Sequence, residues 1–153
     1  MKVTRMCLLV LPLIGAALLP SGATSASERF ERGGILKVEK ECTGFDGAPG
    51  SFCTVTSANV PWIPVGTKIR YGQPEGLPGL GIDSNVVLDA GDGNAAVGRC
   101  TLGATFGLCT FSDGVGKLEG FTARVSVTTS DFINWQWLGT YEFKEIKGES
   151  PRR

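Results

Sequence analysis

Apolar and polar residues alternate with a period of two along most of the chain, the signature of strands that bury one face. From Ile35 to Cys42, Leu36 and Val38 alternate with Lys37, Glu39 and Glu41. From Phe52 to Ser57, Phe52, Thr54 and Thr56 alternate with Cys53, Val55 and Ser57. Short strands are predicted at Thr67–Tyr71, Asn85–Asp89, Ala95–Leu102 and Leu108–Ser112. In Lys117–Thr128, Phe121, Ala123, Val125 and Val127 share a face, with Thr122, Arg124, Ser126 and Thr128 opposite. The last strand, Asn134–Phe143, carries Trp135, Trp137, Tyr141 and Phe143 on one side. Between the strands lie turn formers, of which Gly91-Asp92-Gly93-Asn94 is the strongest hairpin signal. Pro61 and Pro64 bar a central strand around Trp62 and Ile63, so 59–65 reads as an ordered connection. Pro74, Gly76, Pro78, Gly79 and Gly81 make 73–81 the longest predicted loop. Eight strands joined mainly by hairpins, with no helical pattern long enough for a crossover, predict an all-β, eight-stranded antiparallel up-and-down barrel. The rival is a two-sheet sandwich, for which 59–81 is the one long connection.

The first residues break this pattern. Lys2 and Arg5 precede an apolar run from Cys7 to Leu19 and a small-residue stretch from Ser21 to Ser27. This is the order of an export signal, with cleavage expected after Ala26. At about 13 residues the run is short of the roughly 20 that span a bilayer, so no membrane span is expected once 1–26 are removed. The expected organisation is a signal over 1–26, one barrel domain over 27–147 and a charged, fraying tail over 148–153, with a secreted, extracellular or periplasmic destination. Cys7 leaves with the signal, and Cys42, Cys53, Cys100 and Cys109 remain. Four cysteines in an exported chain read as disulfides, with three possible connectivities. Spacing favours Cys42 with Cys53 and Cys100 with Cys109, since each pair flanks a glycine-rich stretch and would staple one hairpin.

Composition narrows the chemistry. Lys plus Arg equals Asp plus Glu at 15 each, leaving no cationic excess with which to hold a phosphate backbone, so nucleic acid is not an expected partner. With no histidine in the 153 residues, Ser-His-Asp and Cys-His catalysis and His-ligated metals are excluded. A four-cysteine zinc site would want short CxxC steps that the chain lacks. The run from Asp89 to Asn94 lacks the acidic spacing of a calcium loop and reads as a turn. Gly79-Leu80-Gly81 and Gly91-Asp92-Gly93 precede no helix, so neither suits a pyrophosphate. No metal and no cofactor are expected.

Three segments carry a likeness: Gly98-Arg99-Cys100-Thr101, the stretch from Cys109 through Asp113-Gly114-Val115-Gly116 to Gly120-Phe121, and Trp135-Gln136-Trp137-Leu138-Gly139-Thr140-Tyr141-Glu142-Phe143. Together they resemble the allene oxide cyclase-like and dirigent-like barrel superfamily, in particular its bacterial secreted members, over about the last 60 residues. The resemblance implies an eight-stranded barrel, commonly a homotrimer, whose cavity receives an oxidised fatty acid or a phenolic radical. The polar cluster of the cyclases has no matching motif here. Glu41 stands where an asparagine would be wanted on the first strand, and no catalytic residue is carried over.

The candidate cavity-lining residues are Trp135, Trp137, Tyr141, Phe121, Arg124 and Glu142. Aromatic stripes on strands more often form core than line a cavity, and Arg124 with Glu142 reads more simply as an exposed cross-strand pair. The function expected first is a secreted barrel that binds a small apolar or phenolic ligand. An alternative is a cofactor-free isomerase or cyclase, or a guide for radical coupling, acting through proximity and orientation. A structural or interaction module with a filled core is the third.

Overall fold

The computed structural model describes residues 32–73, 75–77 and 81–144. The expected signal over 1–26, both ends of the expected domain (27–31 and 145–147) and the expected tail over 148–153 lie outside the described residues. The strands are β1 (Gly33–Glu41), β2 (Phe52–Ala58), β3 (Lys68–Tyr71), β4 (Glu75–Leu77), β5 (Gly81–Asp89), β6 (Ala95–Leu102), β7 (Phe106–Val115), β8 (Phe121–Thr129) and β9 (Asn134–Phe143). Each pairs antiparallel with its neighbours, and the order β3-β2-β1-β9-β8-β7-β6-β5-β4 is closed by a further β3–β5 pairing. Lys68–Tyr71 pairs with Val86–Asp89, whereas Glu75–Leu77 pairs with Gly81–Asp83. β3 and β4 therefore share one edge of β5, and the result is a closed eight-strand antiparallel barrel. Closure removes the exposed edges that an open sheet would carry.

The apolar parity of each strand faces the interior. Leu36 and Val38 of β1, Cys53 and Val55 of β2, Val86 and Leu88 of β5, and Phe121, Val125 and Val127 of β8 are buried. Gly98 and Gly139 also fall on inward positions. A Cβ at Gly139 would collide with the Arg124 carbonyl oxygen, and one at Gly98 with the Thr110 carbonyl oxygen and the Phe111 ring. The missing side chains thus let strands pass closely while Phe111 packs on Trp137 at 5.1 Å between ring centroids.

One end of the barrel is plugged. The 59–67 connection is fastened by the Asn59 side chain, whose Oδ1 accepts from Lys37 N–H while its Nδ2 donates to the Ile35 carbonyl. It carries Val60, Trp62 and Ile63 into the barrel, all buried. The Trp62 ring meets Phe121, Tyr141 and Phe143 at 5.0, 4.9 and 5.2 Å, all edge to face, an arrangement that aromatic quadrupoles favour. Leu118, on a single 3-10 turn at Gly116–Leu118, is buried too.

Two expectations are corrected. The predicted loop over 73–81 contains β4, and β5 begins at Gly81 rather than Asn85. The predicted strand from Lys117 begins only at Phe121, because Gly116, with φ of 65°, starts a 3-10 turn there. The favoured disulfides, Cys42–Cys53 and Cys100–Cys109, both form. Among the described residues no helix is long and apolar enough to cross a membrane.

Candidate functional site

The opposite end, where β1, β3, β6 and β8 finish, is the mouth. There the 42–51, 103–105 and 130–133 connections surround a pocket of about 240 Å³. Its lining is almost wholly apolar, with Phe45, Ile82, Leu102, Phe132 and Trp135 beside the Cys42–Cys53 disulfide and Tyr71. Phe45 and Tyr71 meet edge to face at 4.9 Å. Phe132 sits in left-handed backbone conformation, φ 61°, unusual for a bulky residue. A compact turn imposes it. Thr129 Oγ1 accepts from Phe132 N–H, and Asp131 Oδ1 accepts from the Ile133 and Asn134 N–H groups. The Asn134 side-chain amide, with the backbone N–H groups of Asn134 and Ile133, holds the Asp131 carboxyl down at about 2. Phe132 and Phe106, respectively 62% and 69% exposed, give this end an apolar rim.

Below the pocket lies the one lysine buried among the described residues. Lys40 follows Leu36 and Val38 on the inward parity of β1, at a register irregularity where Lys40 pairs with Val55 and Glu39 with Ser57. Thr56 is the extra residue of that bulge, a device that often re-aims side chains beside functional sites. Lys40 Nζ donates to Tyr71 Oη at 2.7 Å and lies 5.3 Å from the ring centroids of both Tyr71 and Trp137. Its pKa is pushed down to about 7 by burial, since removal from water disfavours the ammonium. Burial pushes the Tyr71 phenol up, so it stays protonated across the physiological range.

The phenol oxygen accepts the lysine proton, which leaves its own hydrogen to be placed. Cys53 Sγ lies 3.9 Å from the phenol oxygen, and a disulfide sulfur is a weak acceptor. Cys53 and Tyr71 both line the pocket, and Tyr71 carries the one hydroxyl among its lining side chains. Two other buried polar atoms, Trp137 Nε1 and Ser51 Oγ, have no hydrogen-bond partner among the described residues.

The six candidate cavity-lining residues separate. Trp135 lines the mouth pocket. Trp137 is buried in mid-barrel beneath Lys40, and Phe121 and Tyr141 belong to the Trp62 plug. Arg124 and Glu142 are exposed on the outer face, where their strand parity opposes the inward Ala123 and Tyr141, so neither lines the interior. They are also not directly opposite one another, since Arg124 pairs with Thr140 and Glu142 with Thr122. Sequence reasoning missed Lys40 and Tyr71. The signal for Lys40 was present, because extending the Leu36, Val38 alternation by two positions puts a lysine inside. Tyr71 gave no comparable signal, since a tyrosine on an inward position is ordinary core.

Among the described residues no group of three or more His, Cys, Asp or Glu could hold a metal. Comparison with known proteins finds no matching family model, no matching curated protein and no matching solved structure.

Proposed function

We propose that this chain is a secreted, disulfide-stapled barrel that takes up a small apolar or phenolic molecule in its mouth pocket, in the manner of the cyclase-like and dirigent-like barrels it resembles. The observation that carries the reading is the 240 Å³ apolar pocket whose lining side chains include a single hydroxyl, that of Tyr71. Concave apolar sites with a few convergent polar groups are the usual form of small-molecule sites. The volume is below the roughly 300–1,000 Å³ of drug-sized pockets, which limits the guest to one ring or a short chain. Two disulfides fit an oxidising compartment, in keeping with the export signal expected over 1–26. Binding is favoured over cyclisation because the pocket lining contains neither a carboxylate nor a side-chain amide.

Equilibrium dialysis against hexanoate, 4-propylphenol and cinnamyl alcohol tests this. The expected result is saturable uptake of at least one probe, one per chain, abolished by Ala104→Trp, which fills the pocket from an exposed turn position. Absence of saturable uptake across the panel, or uptake unchanged in Ala104→Trp, overturns the reading.

A further inference from the structure

We propose that the mouth pocket selects guests bearing a carboxylate, received by the Tyr71 hydroxyl with the Lys40 ammonium behind it as the counter-charge. This rests on the ligand-binding reading above and specifies the guest's chemistry. The argument begins from a charge that the barrel does not balance. A cation removed from water is expensive unless paired, and folded chains usually bring a carboxylate to it. None faces Lys40. The inward residues at this end of β2, β3, β5 and β9 are Cys53 and Val55, Tyr71, Ser84 and Val86, and Trp135 and Trp137. Tyr71 is the one titratable side chain among them. The charged groups of the same strands take the outward parity: Lys37, Glu39 and Glu41 on β1, Lys68 and Arg70 on β3, Asp83 and Asp89 on β5, and Glu142 on β9. Several are engaged there, Arg70 with Asp89 and Arg99 with Asp83.

The Trp137 ring and one phenol oxygen therefore carry the ammonium. Accepting from Lys40 polarises the Tyr71 hydroxyl and orients its remaining proton away from the amine, towards the disulfide side of the pocket. A carboxylate oxygen arriving there receives a short charge-assisted hydrogen bond, and its negative charge offsets that of Lys40 through the phenol. A neutral guest gains the hydrogen bond without the charge pairing.

The same pair makes selection depend on pH. Below about 7 Lys40 is an ammonium, its N–H occupies the phenol oxygen, and the phenol proton is free for the guest. Above that value the amine is neutral and can itself accept the Tyr71 proton, closing the pair and withdrawing both donor and charge. Carboxylate affinity accordingly falls as pH rises through about 7, and a guest bound above that pH brings a proton with it.

Calorimetric titration with 3-phenylpropanoate and 3-phenylpropanamide, near-isosteric probes that differ in charge, decides the matter. At pH 6 the acid is expected to bind about 10-fold or more tightly than the amide, the scale of a hydrogen bond to a charged group. At pH 9 the ratio is expected to fall towards one. In Lys40→Met the ratio is near one at both pH values while amide binding survives, and Tyr71→Phe likewise loses the preference. Equal affinity for the two probes in the native protein at pH 6 overturns the carboxylate preference and leaves ligand binding standing. Binding of neither overturns both. A preference unchanged in Lys40→Met and Tyr71→Phe overturns the assignment to this pair.

Discussion

Lys40 is the residue at which stability and the proposed function pull apart. Its ammonium is buried with no carboxylate paired to it among the described residues, and such a charge contributes little to folding. Replacement by an apolar side chain of similar length, Lys40→Met, is expected to raise stability by about 1–4 kcal/mol near pH 6, read from the urea midpoint. The pH dependence has a definite sign. The folded pKa, about 7, lies below the unfolded value near 10.5, so between them the unfolded chain binds the extra proton. Native stability therefore rises with pH across that window, by a few kcal/mol at most, and is insensitive to this group below it. Lys40→Met is expected to lose the rise; a wild-type midpoint flat from pH 7 to 9.5 would contradict the account. At this scale the sequence is partly legible. Parity marks Lys40 as inward, but the bulge at Thr56 and the hydroxyl of Tyr71, which give that position its meaning, come from strands distant in sequence.

At the scale of elements, alternation locates the strands well where one face is apolar without interruption, as in Phe121–Val127 and Trp135–Phe143. It fails over 73–83. There the prolines and glycines suppress any strand signal, and the inward positions of early β5 include Ser84, which is buried but polar and bonds the Asn85 carbonyl. Pairing with Cys100 and its neighbours on β6 supplies the order that local pattern does not. The 59–67 connection is the opposite case: its prolines exclude a strand correctly, yet nothing local shows that Trp62 turns inward to seal the barrel. That contact can be weighed directly. Trp62→Ala removes three edge-to-face partners and leaves a large void, at an expected cost of about 3–5 kcal/mol in a urea titration. A loss under about 1 kcal/mol, within the range of ordinary surface substitutions and their near neighbours, would show that the plug does not hold that end.

For the whole molecule, eight strands enclose a space just wide enough for side chains to fill or for one small ligand to enter. This chain fills most of that space with side chains and leaves a pocket open at one end. Aromatic rings fill the Trp62 end, Phe111 and Trp137 occupy the middle, and the space left open is at the mouth. The disulfides divide similarly: Cys100–Cys109 joins directly opposed residues of β6 and β7 inside the barrel, while Cys42–Cys53 forms part of the pocket wall. By loop-closure entropy each short bridge contributes on the order of 2–3 kcal/mol. The three tryptophans sample these regions separately, Trp62 in the plug, Trp137 beside Lys40 and Trp135 in the pocket lining. The most direct measurement follows the three indole N–H resonances of ¹⁵N-labelled protein during titration with 3-phenylpropanoate at pH 6. Saturable movement of the Trp135 signal, a smaller shift at Trp137 and a stationary Trp62 are the predicted result. A Trp135 signal that does not move, or movement led by Trp62, would contradict a guest at the mouth.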